Sequence, residues 1–215
     1  MILSLVIILN TSGMKIKTPI LTEDVPLFWS LHKFFIHTLK EVLWAERELS
    51  ATVLSKIIYN VGSPNLSFVI KDYKKLTKLH AAKTVKILND AGITARGKKS
   101  PGMQSLMHEF AILFEKRKKG PVRDAAIISA LQKMLHYHIA SYRSLEIVGR
   151  MLGEDAIIGD FESAVANIRK IDILLTDAAQ NTINFDAAID ENKYIQPLII
   201  SLTIYKLIQT ETSLS

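Results

Sequence analysis

The chain has 215 residues, with 27 Lys and Arg against 21 Asp and Glu, a formal charge of +6, and no cysteine. That length suits one domain with extra terminal segments, and an apolar content of 48% can bury a core without covalent staples and excludes a disordered chain. Nine Gly and six Pro argue against a loop-rich β-sandwich, and the lack of cysteine rules out a disulfide framework, a thiolate metal site and a cysteine nucleophile and favours the cytoplasm.

Residues 1–25 read as a tail. Met1–Asn10 is apolar but shorter than the roughly 20 residues of a membrane span. It also has no basic start or small-x-small cleavage site of a signal peptide. Met14 follows Thr11-Ser12-Gly13, so residues 1–13 are either an over-extended reading frame or a genuine apolar tail.

From Leu27 onward the 3.6-residue period dominates. It predicts a helix over Pro26–Asn60, ended by Gly62-Ser63-Pro64, and a second over Asn65–Asp90. Residues 93–102 read as a loop, followed by a shorter helix over Met103–Lys118 with Met103, Leu106, Met107, Phe110 and Phe114 on one face. Long helices are predicted over Val122–Leu152 and Glu154–Ile183, separated at Gly153. Rods of roughly 40 Å with one apolar stripe each bury it best side by side. The long link between the second and third rods carries its own helix, as a crossover along a bundle would. The expected fold is therefore all-α: a ferritin-like four-helix bundle over residues 26–184, with an extra short helix in the crossover. Residues 185–215 contain Pro197 and then a β-branched run, and read as a tail or an additional element.

Each long helix carries a seam with spacings of three and four, which keep its members on one face. The first runs Phe35, Leu39, Val42, Glu46, Leu49, Val53, and the second Leu66, Val69, Tyr73, Leu76, His80, Thr84, Ile87. The third runs Ile128, Leu131, Leu135, His138, Tyr142, Leu145, and the fourth Phe161, Val165, Ile168, Asp172, Leu175, Ala179. Each thus places one ligand-capable group near its middle: Glu46, His80, His138 and Asp172. Two carboxylates and two imidazoles suit one divalent Zn, Fe or Mn ion. They could equally satisfy one another as buried ion pairs with no metal. His136 and Tyr137 flank the third seam as supporting residues. His32, His37 and His108 lie on mixed faces and receive no role.

Leu39–Leu49 (LKEVLWAEREL), Val122–Tyr142 (VRDAAIISALQKMLHYHIASY) and Ile173–Ala179 (ILLTDAA) resemble the YciE/YciF family of bacterial ferritin-like stress proteins. The similarity spans Leu31–Asn184. It implies a ferritin-like bundle, a homodimer, a cytoplasmic protein linked to stress with no established reaction, and a carboxylate-rich di-metal centre inside the bundle. The chain keeps Glu46 and Asp172 but departs elsewhere. It has Leu76-Thr77 where the family has Glu-Thr, and Leu135-His136-Tyr137-His138 where the family has Glu-His-Tyr-Glu. Asn167-Ile168-Arg169-Lys170 replaces an acidic run. A di-iron centre wants about four carboxylates and two histidines. The expectation is therefore a stress-related protein with a reduced, single-metal site or a packed apolar core, and no ferroxidase chemistry.

The sequence has no Gly-rich phosphate loop, G-x-S-x-G or H-E-x-x-H motif. A second reading starts from charge. Lys71, Lys74, Lys75, Lys78, Lys83 and Lys86 on the second helix, with Arg96, Lys98, Lys99, Lys116, Arg117, Lys118, Lys119 and Arg123 around the crossover, could bind nucleic-acid phosphates non-specifically. Few aromatics interleave with them, so base stacking is not expected. A third reading is a purely structural dimeric bundle.

Overall fold

The computed structural model describes residues 30–184 and 186–189. The expected tail 1–25, the predicted helix start at Pro26 and the segment 190–215 lie outside the described residues. The first rod, α1, runs Leu31–Glu48, continues through a π-helical stretch Leu49–Leu54 and closes at Ser55–Ile57. Then come α2 (Pro64–Asp90), α3 (Pro101–Glu115), α4 (Pro121–Leu152) and α5 (Asp155–Ala178), the last extended by π-helical Ala179–Ile183. No strand occurs among the described residues.

The helix ends follow from local chemistry. Ser30, Ser63 and Ser100 each accept a backbone N–H three residues ahead, from Lys33, Leu66 and Met103. These caps satisfy donors that a helix start leaves unpaired. Pro64, Pro101 and Pro121 follow at first-turn positions, where a missing N–H costs nothing. Gly153 ends α4 in the left-handed region at φ 77°, which glycine adopts without strain. The predicted loop 93–102 is thus shorter than expected, because the Ser100 cap and Pro101 start α3 early.

Packing gives the topology. α1 lies against α2 and α4, and α5 lies against α2 and α4. The Asp124 carboxylate, at the start of α4, accepts from the backbone N–H groups of Gly62 and Ser63, at the far end of α1. At the other end of the bundle, Gly149 of α4 abuts Phe35 of α1. α4 therefore runs antiparallel to α1, and the order is up, down, down, up. Every pair of neighbouring rods is antiparallel, and the chain must cross the bundle's length between α2 and α4, as in ferritin-like folds. α3 makes that crossing along the outside of α4, from Ser100 at Tyr137 to Phe114 under the Arg123 guanidinium.

The seams of α1 and α4 are buried at every predicted position. Three positions differ elsewhere, one of them Ala179, which is half-buried. On α2 the core member is Thr77, fully buried with its hydroxyl donated to the Lys74 carbonyl, while Leu76 is half-buried. On α5 the core member is Ile171 rather than Asp172.

Candidate metal centre

Three of the four predicted ligands meet. Glu46, His80 and His138 come from α1, α2 and α4 and are 1%, 3% and 0% exposed. His80 Nδ1 lies 3.3 Å from Glu46 Oε1, and His138 Nε2 lies 4.0 Å from the same oxygen. The Tyr142 hydroxyl donates to Glu46 Oε1 at 2.9 Å. The Tyr142 ring stands edge-on to His80 and tilted to His138, with centroids 5.7 and 6.4 Å away. Tyr73, fully enclosed, completes the pocket from α2.

Burial dominates the electrostatics. Desolvation pushes the Tyr142 hydroxyl well above its ordinary value, with the Glu46 charge adding to the shift. Tyr73 is raised for the same two reasons. Both phenols therefore stay protonated at neutral pH. Desolvation also lowers His138, and the nearby Glu46 carboxylate only partly opposes it. A buried imidazole resists protonation because its cation would lose hydration.

Asp172 does not join this group. Its carboxylate accepts from the Gln132 side-chain amide at 3.1 Å and sits 3.2 Å from His136 Nε2, on the outer side of the α4–α5 pair. His136 is 65% exposed, so it too stands outside the core. The reason is one of depth and rotation. α5 brings Phe161 and Ala164 to the level of His80 and Tyr142. Asp172 is about 12 Å farther along the helix than Ala164. At that turn Ile171 takes the inward position, and solvent access is cheaper for a carboxylate than burial. Of the two flanking residues, only Tyr137 borders the centre, with its ring 6.2 Å from that of His138 and its hydroxyl paired with Ser100 at 2.6 Å.

The centre is under-satisfied. Glu46 Oε2, His80 Nε2, both His138 ring nitrogens and the Tyr73 hydroxyl are buried without a hydrogen-bond partner. Buried polar atoms in native cores nearly always have one, from protein, water or an ion. As the side chains stand, no three His, Asp or Glu among the described residues converge tightly enough to grip a metal ion. Leu135 and Ile168 are fully buried hydrocarbon in the seams of α4 and α5.

Two functional features escaped the sequence reading. One is Tyr142 as a donor to Glu46, which the seam placed inside but without a partner. The other is the π-helical turn that follows Glu46, where the Ser55 hydroxyl donates to the Ser50 carbonyl at 2.7 Å. Such turns are frequent beside functional sites.

Several of the basic residues are engaged within the fold. Lys75 pairs with Asp72, Lys83 with Asp160 and Lys86 with Asp90. Arg117 bonds the Leu113 carbonyl, and Arg123 bonds the Asn60 and Arg117 carbonyls. Lys71, Lys74 and Lys78 have no acidic partner among the described residues. No helix among those residues is long and apolar enough to cross a membrane.

Residues 30–188 match a family described as a domain of unknown function, DUF892. The chain is 29% identical over 165 residues to Protein YciF of Escherichia coli (strain K12), spanning 76% of this chain and 97% of that one. Its fold is similar to the crystal structure of the E. coli stress protein YciF, with a TM-score of 0.68 at 28% identity, over 73% of this chain and 99% of that one. The fold is also similar to that of YcfI from Rhodopseudomonas palustris, with a TM-score of 0.66 at 21% identity, over 73% and 97% of the two chains.

Proposed function

Because the chain belongs to the DUF892 family of domains of unknown function, with YciF among its relatives, we propose that it is a ferritin-like stress protein whose bundle holds a single divalent ion and lacks ferroxidase activity. Glu46, His80 and His138 would hold the ion. The observation that carries this reading is the set of orphaned atoms on those three residues, Glu46 Oε2, His80 Nε2 and the two His138 nitrogens. One carboxylate and two imidazoles are a fitting donor set for Zn, Mn or Fe. An ion would have to draw the three side chains together, and the lowered basicity of His138 keeps a lone pair available for it. Bound there, a metal would supply Lewis-acid or one-electron chemistry. The chain's own part is to exclude water, through Leu135, Ile168 and Phe161, and to fix the Glu46 carboxylate through the Tyr142 hydroxyl.

A second ion has no carboxylates to hold it, since Asp172 is engaged with Gln132 and His136. That is the basis for proposing no ferroxidase activity. In this reading the protein is a cytoplasmic homodimer, in keeping with its resemblance to the stress-protein family. The test is elemental analysis after loading purified protein with Zn, Mn or Fe. About one ion per chain is expected, lost in Glu46→Gln and His80→Ala variants that still fold. Two irons per chain with oxygen consumption, or no binding of any of the three metals, would overturn the proposal.

A further inference from the structure

A cleft of about 500 Å³ opens between α1 and α2 at the π-helical turn. Its composition is bipolar. Glu46 forms part of its floor, Ser50 and Ser55 line one wall, and Arg47, Lys74 and Lys78 stand around it. A second cleft of about 290 Å³ shares Lys74 and Lys78 and adds Lys71 and the Asp72–Lys75 pair.

Three observations distinguish this rim from an ordinary solvated lysine face. First, the acids within reach of α2 are used on other lysines, Lys75, Lys83 and Lys86. Lys71, Lys74 and Lys78 share one face of the helix at spacings of three and four, and the acid that lines the second cleft beside them, Asp72, is paired with Lys75. Second, Arg47 faces them from α1, and its guanidinium is steadied by a hydrogen bond from Nη1 to the Ala95 carbonyl at 3.4 Å. Third, the Glu46 carboxylate is 99% buried, as its 1% exposure records, and its Oε2 has no partner. An anion alone would meet repulsion from that floor, and a cation alone would meet the rim. A molecule with both charges satisfies both.

We infer that the α1–α2 cleft binds a small zwitterion, an ammonium joined by a short linker to a phosphate or carboxylate. The acidic head is met by Arg47, Lys74 and Lys78, and the ammonium donates to Glu46. This goes beyond the metal reading and does not depend on it. The ammonium and an ion in the core both draw on Glu46, so the test uses EDTA-treated protein.

The probes are O-phosphoethanolamine, β-alanine, inorganic phosphate and ethanolamine, titrated calorimetrically at low salt. The two zwitterions separate a phosphate head from a carboxylate head. The expected result is that at least one zwitterion binds about tenfold or more tighter than either phosphate or ethanolamine, since a charge-assisted contact contributes about that factor. The Lys74→Ala/Lys78→Ala double variant, exposed or half-buried at both positions, should weaken that binding about tenfold while its melting temperature is kept. Lys133→Ala, on the far side of the bundle against Glu109, should leave it unchanged. Equal binding of phosphate and zwitterion, or no effect of the double variant, overturns the inference. Binding of an oligonucleotide through these lysines with none of either zwitterion would also overturn it, in favour of a polyanion surface. Failure of the metal-loading experiment leaves these outcomes as they are.

Discussion

The Tyr142 hydroxyl donates to Glu46 Oε1 at 2.9 Å, joining α4 to α1 across 96 positions of sequence at the centre of the bundle. Both groups are almost wholly enclosed, and the phenol is held protonated by burial, so the donor persists far above neutral pH. Tyr142→Phe keeps the ring contacts with His80, His138 and Phe161 but leaves the carboxylate short of one donor. The expected cost is about 1–3 kcal/mol, read as a shift of the denaturant midpoint at constant slope. An unchanged midpoint would show that water replaces the hydroxyl without loss.

Asp124 makes a comparable link at the end of the bundle. Its side chain is 1% exposed and accepts from Gly62 N at 2.9 and 3.0 Å and from Ser63 N at 2.8 Å. These bonds tie the α1–α2 turn to the first turn of α4, where a negative charge also favours the helix dipole. Asp124→Asn replaces an acceptor by an amide that must turn one N–H towards the same donors. A loss of about 2–3 kcal/mol is expected, which in a chain of this size lowers the melting temperature by roughly 5–10 °C.

Much of this architecture is legible in the sequence because it rests on local rules. The seams of Phe35–Val53 and Ile128–Leu145 are buried as their spacing predicts. Gly153 and Gly62-Ser63 lie between helices as expected, with Pro64 opening the second rod. The failures arise where several residues compete for one direction. Asp172 shares its turn with Ile171, and periodicity places both near the seam; the lower cost of burying a hydrocarbon decides which turns inward. Thr77 displaces Leu76 because its hydroxyl is satisfied by the Lys74 carbonyl, a bond no pattern of apolar residues shows. The π-helical turn at Leu49–Leu54 shifts the helix face so that Glu46, Leu49, Leu54 and Ile57 are all buried. It answers to the partner helices rather than to its own residues. Asp124 lies within the Val122–Tyr142 segment that carries the family resemblance, yet its partners are 61 and 62 residues away, and only the folded chain reveals them.

His138 makes stability depend on pH. Its folded value lies below the ordinary histidine value of 6.5, mainly because burial penalises the imidazolium. Below that ordinary value the unfolded chain binds a proton that the folded protein does not. Linkage then requires stability to fall as the pH drops from about 6.5 towards the lowered folded value, and to be fully present above 6.5. Denaturation at a series of pH values from 7.5 to 5 should show this slope. His138→Phe, which cannot titrate, should reduce it. An identical slope in the variant would assign the effect to other groups.

The crossover is held down by close approach of backbone to backbone. Lys98 N–H donates to the Lys40 carbonyl at 2.9 Å, and a methyl group at Gly97 would lie 3.0 Å from both Cα and Cβ of Trp44 and 3.1 Å from its nitrogen. Two of those atoms are backbone of α1, fixed by helical hydrogen bonds, so the loop rather than the helix must yield. Gly97→Ala should therefore lift residues 93–100 from α1, weaken the Lys98–Lys40 bond and cost about 1–3 kcal/mol. Faster limited proteolysis within this loop, together with a lower melting temperature, is the expected signature. Gly159 provides the contrast. It is exposed within α5, and nothing lies within 4 Å of an added methyl group. Gly159→Ala should stabilise the protein by about 0.5–1 kcal/mol, because alanine loses less backbone freedom than glycine on entering a helix. If both substitutions lowered the melting temperature equally, the contact of Gly97 with Trp44 would not be the cause.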